Sequence, residues 1–201
     1  MKINYANTSN GSGFTLLELM VVVAVIAVML MAGGASFRTS LERNQQKSTV
    51  NSVLDMLSYA RAEAVIRAEP VAACPSTNGS SCSGAAWEDG WVVFVDSGVG
   101  AGGSVSDGIR NGGEELLRVA SAAPDGMSVR TVNFASTSSV LFRDDGRLSQ
   151  NDSGTFVICS ALGVTEAAGV VVGVSGQSRL TVDADSDNVE EDDEGDAVSC
   201  P

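Results

Sequence analysis

The sequence predicts an α+β protein, one long N-terminal α-helix whose second half packs on an antiparallel β-sheet head. Two observations carry that expectation. No proline occurs before Pro70, so nothing breaks a helical pattern running over residues 14–68, on the order of 80 Å of helix. Beyond Pro70, short runs rich in β-branched and aromatic residues alternate with Gly, Ser, Asn and Asp. A single amphipathic helix followed by strands and tight turns buries its apolar stripe against an antiparallel sheet. At 201 residues the chain suits one modest core.

The first element is apolar. Residues 19–37 carry no charge and are mainly Val, Ala, Met, Leu and Ile, enough to cross a bilayer core as a helix, and Arg38 ends the run. A polar stretch, residues 1–12, precedes it, followed by Gly13-Phe14-Thr15-Leu16-Leu17-Glu18. An ordinary secretory signal places its cleavage site after the apolar region, whereas this junction lies before it, so the helix would survive processing. Glu18 needs a reason, because a carboxylate inside an apolar helix costs roughly 2.5–3.5 kcal/mol on insertion scales. The bland alternative is a plain single-pass anchor whose acid snorkels to the interface.

The G-F-T-L-L-E string followed by an apolar helix resembles the class III leader junction of type IV pilins and type II secretion pseudopilins. That resemblance implies a leader over residues 1–13, removed after Gly13 by a prepilin peptidase, N-methylation of Phe14, and a membrane-spanning assembly helix over 14–37. Glu18 then becomes the fifth mature residue and is expected to pair with a neighbouring subunit's terminal ammonium. Opposite charges in a low-dielectric bundle offset each other's desolvation and favour one axial register.

Residues 38–69 form the head's share of the helix, with Leu41, Val50, Val53, Leu54, Leu57, Ala60, Ala64 and Val65 recurring at spacings of three, four and seven. Gly33-Gly34 weakens the helix near the membrane exit by about 1 kcal/mol per glycine. The pair reads equally as a bending point or as a place for close helix packing. Strands are expected over 71–74, 91–96, 116–119, 129–134, 140–142, 155–159, 170–174 and 179–182 of a β-rich head, residues 70–201.

Within the head, Tyr59-Ala60-Arg61-Ala62-Glu63-Ala64-Val65, Gly90-Trp91-Val92-Val93-Phe94-Val95-Asp96 and Glu115-Leu116-Leu117-Arg118 resemble successive signatures of the GspH/FimT branch of pilin-like proteins, which includes FimU. Residues 155–159 and 170–179 fit it too. These motifs read as packing, with Trp91 and Phe94 in or near the core and Arg61 and Glu63 on a solvated or ion-paired helix face.

Composition argues against catalysis. The chain has no histidine, and its only lysines are Lys2 and Lys47, which removes the commonest general base and most Ser/His and Cys/His arrangements. The net charge is -13, and nine of the 25 acids lie in residues 183–196, where no basic residue occurs. Such a chain repels phosphate backbones. DNA-uptake pilins of the FimT type carry a basic G-R-x-R element, which here reads Gly176-Gln177-Ser178-Arg179 with one arginine lost.

Cys74, Cys82, Cys159 and Cys200 show no C-x-x-C pair and no histidine partner, so two disulfides and an oxidising compartment are the simpler reading. Four cysteines permit three pairings that sequence cannot choose among; the short loop favours 74 with 82, leaving 159 with 200. In the acidic tail, Asp183, Asp185, Asp187, Val189 and Glu194 match the ligand spacing of an EF-hand-like calcium loop, but Asn188 replaces the turn glycine and Glu190 the usual apolar residue. The competing reading is a solvated acidic loop and no cofactor.

The resemblance implies a non-enzymatic minor pilin of the bacterial inner membrane, single-pass with a periplasmic head, which then enters a pilus and primes its assembly near the tip. Its partners would be other minor pilins, the major pilin, the prepilin peptidase and the inner-membrane assembly platform, and not nucleic acid. The alternative is a minor pseudopilin of a type II secretion system; a DNA-uptake pilin stands behind both.

Overall fold

The computed structural model describes residues 13–98, 106–149 and 153–200, and the side chains of residues 30–36 lie outside that description. Residues 1–12 of the expected leader, 1–13, and the surroundings of Gly33-Gly34 therefore fall outside the described residues. Helix α1, Leu16–Arg67, is continuous over 52 residues. Thr15 opens it: its Oγ1 accepts the Glu18 N–H at 3.2 Å, so a hydroxyl caps the first turn with an acid three residues on. Its end is set by Ala68, which takes a left-handed φ of 54°. The Glu69 N–H returns to the Ala64 carbonyl at 3.3 Å, and Pro70 cannot continue the helix.

The chain divides into two compact units, residues 1–40 and 41–201, each described by itself. In the first, the large apolar side chains from Leu16 to Met29 are exposed. Among the described residues no helix is long and apolar enough to cross a membrane. The unbroken run of described apolar side chains ends at Met29, short of the roughly 20 residues a span requires, and resumes at Phe37. The expected span over 14–37 thus rests partly on side chains outside the description.

In the second unit, α1 buries Val50, Val53, Leu57, Ala60 and Ala64, five residues of the expected stripe. Leu41 and Val65 are instead exposed, at 44% and 51%, while Met56, absent from the stripe, is wholly buried. Met56, Ala60 and Ala64 stack at four-residue steps over the core, and Val65 lies about 100° further round the helix.

Eight strands follow: β1 Val71–Pro75, β2 Trp91–Val95, β3 Leu116–Ala120, β4 Ser128–Val132, β5 Val140–Phe142, β6 Gly154–Cys159, β7 Ala168–Val172 and β8 Ser178–Leu180. They lie within a residue or two of the expected runs. The expected sheet is divided, however: the strands form two four-stranded sheets, ordered β3-β2-β1-β5 and β4-β6-β7-β8, with every pairing antiparallel. Apolar patterning fixes which face of a strand is buried, and it carries no information on which strand lies beside it.

Both sheets turn one face to a common core beneath α1, where Val71, Val93 and Phe142 of the first meet Phe156, Ile158 and Val170 of the second. Trp87 packs edge-on against Phe156 with centroids 5.0 Å apart, and its indole N–H donates to the Thr137 carbonyl at 3.3 Å. β1, β2 and β6 are buried along their whole length, so their outer faces need cover too. Behind the first sheet, Cys74, Val92 and Phe94 cluster with Cys82; behind the second, Val157 and Cys159 cluster with Val198 and Cys200.

Candidate functional site

Three places hold the residues singled out from the sequence. At the N-terminal junction, Phe14 is 81% exposed immediately after Gly13. Glu18 sits in the first turn of α1, where its N–H is satisfied by Thr15 and its carboxylate lies near the positive end of the helix dipole. Thr15 escaped the sequence reading, although the T-x-x-E spacing of Thr15 and Glu18 was its signal.

The cysteines form the second. Cys74 pairs with Cys82 and Cys159 with Cys200, with Cα–Cα separations of 5.5 and 5.8 Å, and no described cysteine is free. Each bond closes a segment over the outer face of one sheet. Within the first, Asn78 Oδ1 accepts the N–H groups of Ser80 and Ser81 at 2.8 and 3.0 Å, which orders the loop between the cysteines.

The acidic tail is the third. Isolated bridges join Val182 to Glu191 and Glu191 to Ala197, folding the tail on itself. It is fastened to the second sheet through Asp193: Ser153 Oγ donates to it at 2.6 Å, Asn133 Nδ2 at 2.9 Å and Thr155 Oγ1 at 3.1 Å. Burial pushes the Asp193 carboxyl up, but these donors outweigh it and hold the group below the usual carboxylate range. Glu190 is raised, chiefly by burial, against the Gly169 amide that favours its charged form.

The fold brings together Asp183, Asp185, Asp187 and Glu191, whose carboxylate oxygens all lie within 4.8 Å of one another. That is the spacing of oxygens around one hard cation with bonds of about 2.3–2.6 Å. Glu194 is not among them. The bridge at Glu191 turns the chain back three residues before the twelfth loop position, so Glu191 stands where Glu194 was expected. The Glu194 N–H bonds Asp192 Oδ1 at 2.9 Å, and the Val189 N–H bonds Asp187 Oδ1 at 2.7 Å. Asn188, in place of the turn glycine, accepts the positive φ that glycine would have eased, at 68°.

The Gly176-Gln177-Ser178-Arg179 element makes the turn between β7 and β8 and enters β8, with Arg179 exposed and the acidic tail directly after it. The described basic side chains of the head are otherwise largely engaged. Arg43 pairs with Glu166, Arg67 with Glu63 and Glu115, and Arg118 with Asp55.

The family model of the type II transport protein GspH matches residues 49–185, and that of the prokaryotic N-terminal methylation motif matches residues 8–34. Among solved structures, the type IV minor pilin FimU of Pseudomonas aeruginosa is 22% identical at a TM-score of 0.52, covering 70% of this chain and 91% of its own. The minor pseudopilin EpsH from the type 2 secretion system of Vibrio cholerae is 10% identical at a TM-score of 0.45, covering 68% of this chain and 95% of its own. No curated protein matches. The likeness to FimU shows the shared pilin fold, a helix packed on antiparallel sheets. The chain belongs to the GspH family, as a structural minor pilin or pseudopilin and not an enzyme.

Proposed function

We propose that the protein is a minor pilin that is cut after Gly13, N-methylated on Phe14, and anchored in the inner membrane by residues 14–37 with its head in the periplasm. It joins other minor pilins in a priming complex on the assembly platform, starts type IV pilus growth and stays near the tip. The observation that carries this reading is the methylation-motif match over residues 8–34, spanning the junction at which Thr15 caps a helix with Glu18 in its first turn. Exposed apolar side chains from Leu16 to Met29 supply the surface that lipid, and then neighbouring helices, would cover. Glu18 pairs with a neighbour's terminal ammonium and sets the axial register.

A type II secretion role is the second reading, favoured by the match to the GspH family model. DNA uptake is weaker, since Arg179 stands alone in its element beside the acidic tail. Calcium at Asp183, Asp185, Asp187 and Glu191 would brace the tail. Deleting the gene and restoring wild type or Glu18→Ala, while counting surface filaments and measuring secreted proteins, separates the readings. Filaments lost on deletion and restored only by wild type support the pilus; intact filaments with failed secretion move the protein to the secretion system.

A further inference from the structure

β8 is an edge strand: β7 covers one side of it, and no described strand lies on the other. Between β7 and β8, Thr181 N–H bonds the Gly169 carbonyl at 3.1 Å and Gly173 N–H bonds the Gln177 carbonyl at 3.0 Å, so residues 177, 179 and 181 face β7. By the antiparallel alternation, the N–H and C=O of Ser178 and Leu180 point away from it. Among the described residues nothing bonds those groups. Val182, the next outward position, is taken: the acidic tail comes alongside, and Glu191 N–H bonds its carbonyl at 3.1 Å. The tail closes the edge there and leaves Ser178 and Leu180 open.

Space and apolar surface flank the open side. Two clefts, of about 580 and 650 Å³, are each lined by α1 and by β8. Val65 and Ile66 of α1 line the first with Ser178, and Val50 of α1 lines the second with Leu180. Val65, Ile66 and Leu180 are exposed, and Ser178 Oγ is buried with no hydrogen-bond partner among the described residues. The clefts differ in charge. In the second, Arg43 pairs with Glu166, and the spare charges, Lys47 and Glu190, are one of each sign. The first holds Arg61 and no acid. Arg61 Nε donates at 3.0 Å to the Gly146 carbonyl, the atom that a Cβ on Gly176 would strike, so its guanidinium is fixed beside the turn into β8. No ion pair reaches it among the described residues.

We propose that the β8 edge is a docking site for an extended segment of a partner protein, added as an antiparallel strand whose C-terminal end places a carboxylate on Arg61. Backbone bonds to Ser178 and Leu180 supply the attachment, as in strand addition generally. β8 runs from the Arg61 cleft toward the tail, so a segment antiparallel to it ends at Arg61. Alternate side chains of that segment turn toward α1, where Val65 and Ile66 give them apolar cover. The first cleft attracts an acid and repels a cation, because Arg61 is its only charge. A second copy of β8 is a poor occupant: antiparallel self-pairing through Ser178 and Leu180 sets Arg179 opposite Arg179, and like charges there are destabilising.

Amide exchange with water, followed by NMR on the full chain in detergent micelles, reads the added strand residue by residue. The probes are an acetylated and amidated hexapeptide of alternating Thr and Val that ends in Glu, and a twin that ends in Lys. Expected with the Glu peptide is about threefold slower exchange of the Ser178 and Leu180 amides, the slowing at twice a Kd of about 0.5 mM, with Arg179 and Thr181 unchanged. The Lys twin should slow neither. No slowing with the Glu peptide, equal slowing by both peptides, or slowing at Arg179 and Thr181 alone overturns the proposal. Arg61→Glu should transfer the preference to the Lys twin, and a preference that stays with Glu overturns it equally. Should that variant fail to fold, the two peptides on the wild-type chain decide alone.

Discussion

The two ends of α1 use the same backbone for opposite purposes. From Leu16 to Met29 apolar side chains surround the helix and are exposed, whereas from Val50 to Ala64 they form one stripe and are buried. An all-round apolar helix has no preferred face and needs an apolar solvent or identical neighbours; a striped one needs a single sheet face. The difference teaches that the second half contributes to the stability of the head, while the apolar surface of the first half is left for the assembly role proposed above. Substitutions in the two halves should therefore give separable defects.

The largest separation is expected at Leu57, which is wholly buried in the head core. Leu57→Ala should lower head stability by about 2–5 kcal/mol in urea unfolding, while Val23→Ala should leave the unfolding midpoint unchanged. A midpoint shift of similar size in both would break the comparison.

Next come the disulfides, each of which closes a segment over one sheet's outer face. Breaking Cys159–Cys200, with 41 residues of separation, should cost more than breaking Cys74–Cys82, with 8. In the chain-entropy picture the difference is roughly 1–2 kcal/mol, measured by unfolding the two double-serine variants under oxidising conditions. An equal or reversed order would mean that packing behind the sheets outweighs loop closure.

The acidic tail permits a pH test. The Asp193 carboxyl is held below its ordinary 3.8, so its contribution is present above that value and lost as pH falls through its lowered one. Asn133→Ala should weaken tail anchoring at neutral pH and leave a shallower loss in acid, read by proteolysis of residues 183–200. Calcium should raise protection of the same residues in wild type, and not in Asp185→Asn, if the four-carboxylate cluster holds it. The smallest effect is expected at the exposed Arg43–Glu166 pair, where Arg43→Ala should cost only about 0.2–1 kcal/mol.

Much of this was legible in the sequence. An absence of proline up to Pro70 marked α1, and β-branched runs marked the strands, because both signals are local. The division into two sheets was not, since partner choice is a long-range property. Periodicity found Leu57 and Ala60 but missed Met56, which is wholly buried, and nominated Leu41 and Val65, which are exposed. Linear spacing nominated Glu194, and a chain reversal delivered Glu191. Asp96 looked like the polar end of an apolar strand; its burial depends on amides at Ser106 and Gly108 that no short-range pattern announces.

The central claim is that the exposed first half of α1 is retained as an assembly surface beginning at Phe14. Intact and N-terminal peptide mass spectrometry of the protein from bacterial envelopes tests it most directly. The account predicts a chain that starts at Phe14 and carries one added methyl group on its amine; a mature chain starting at Met1, or beyond residue 37, would contradict it.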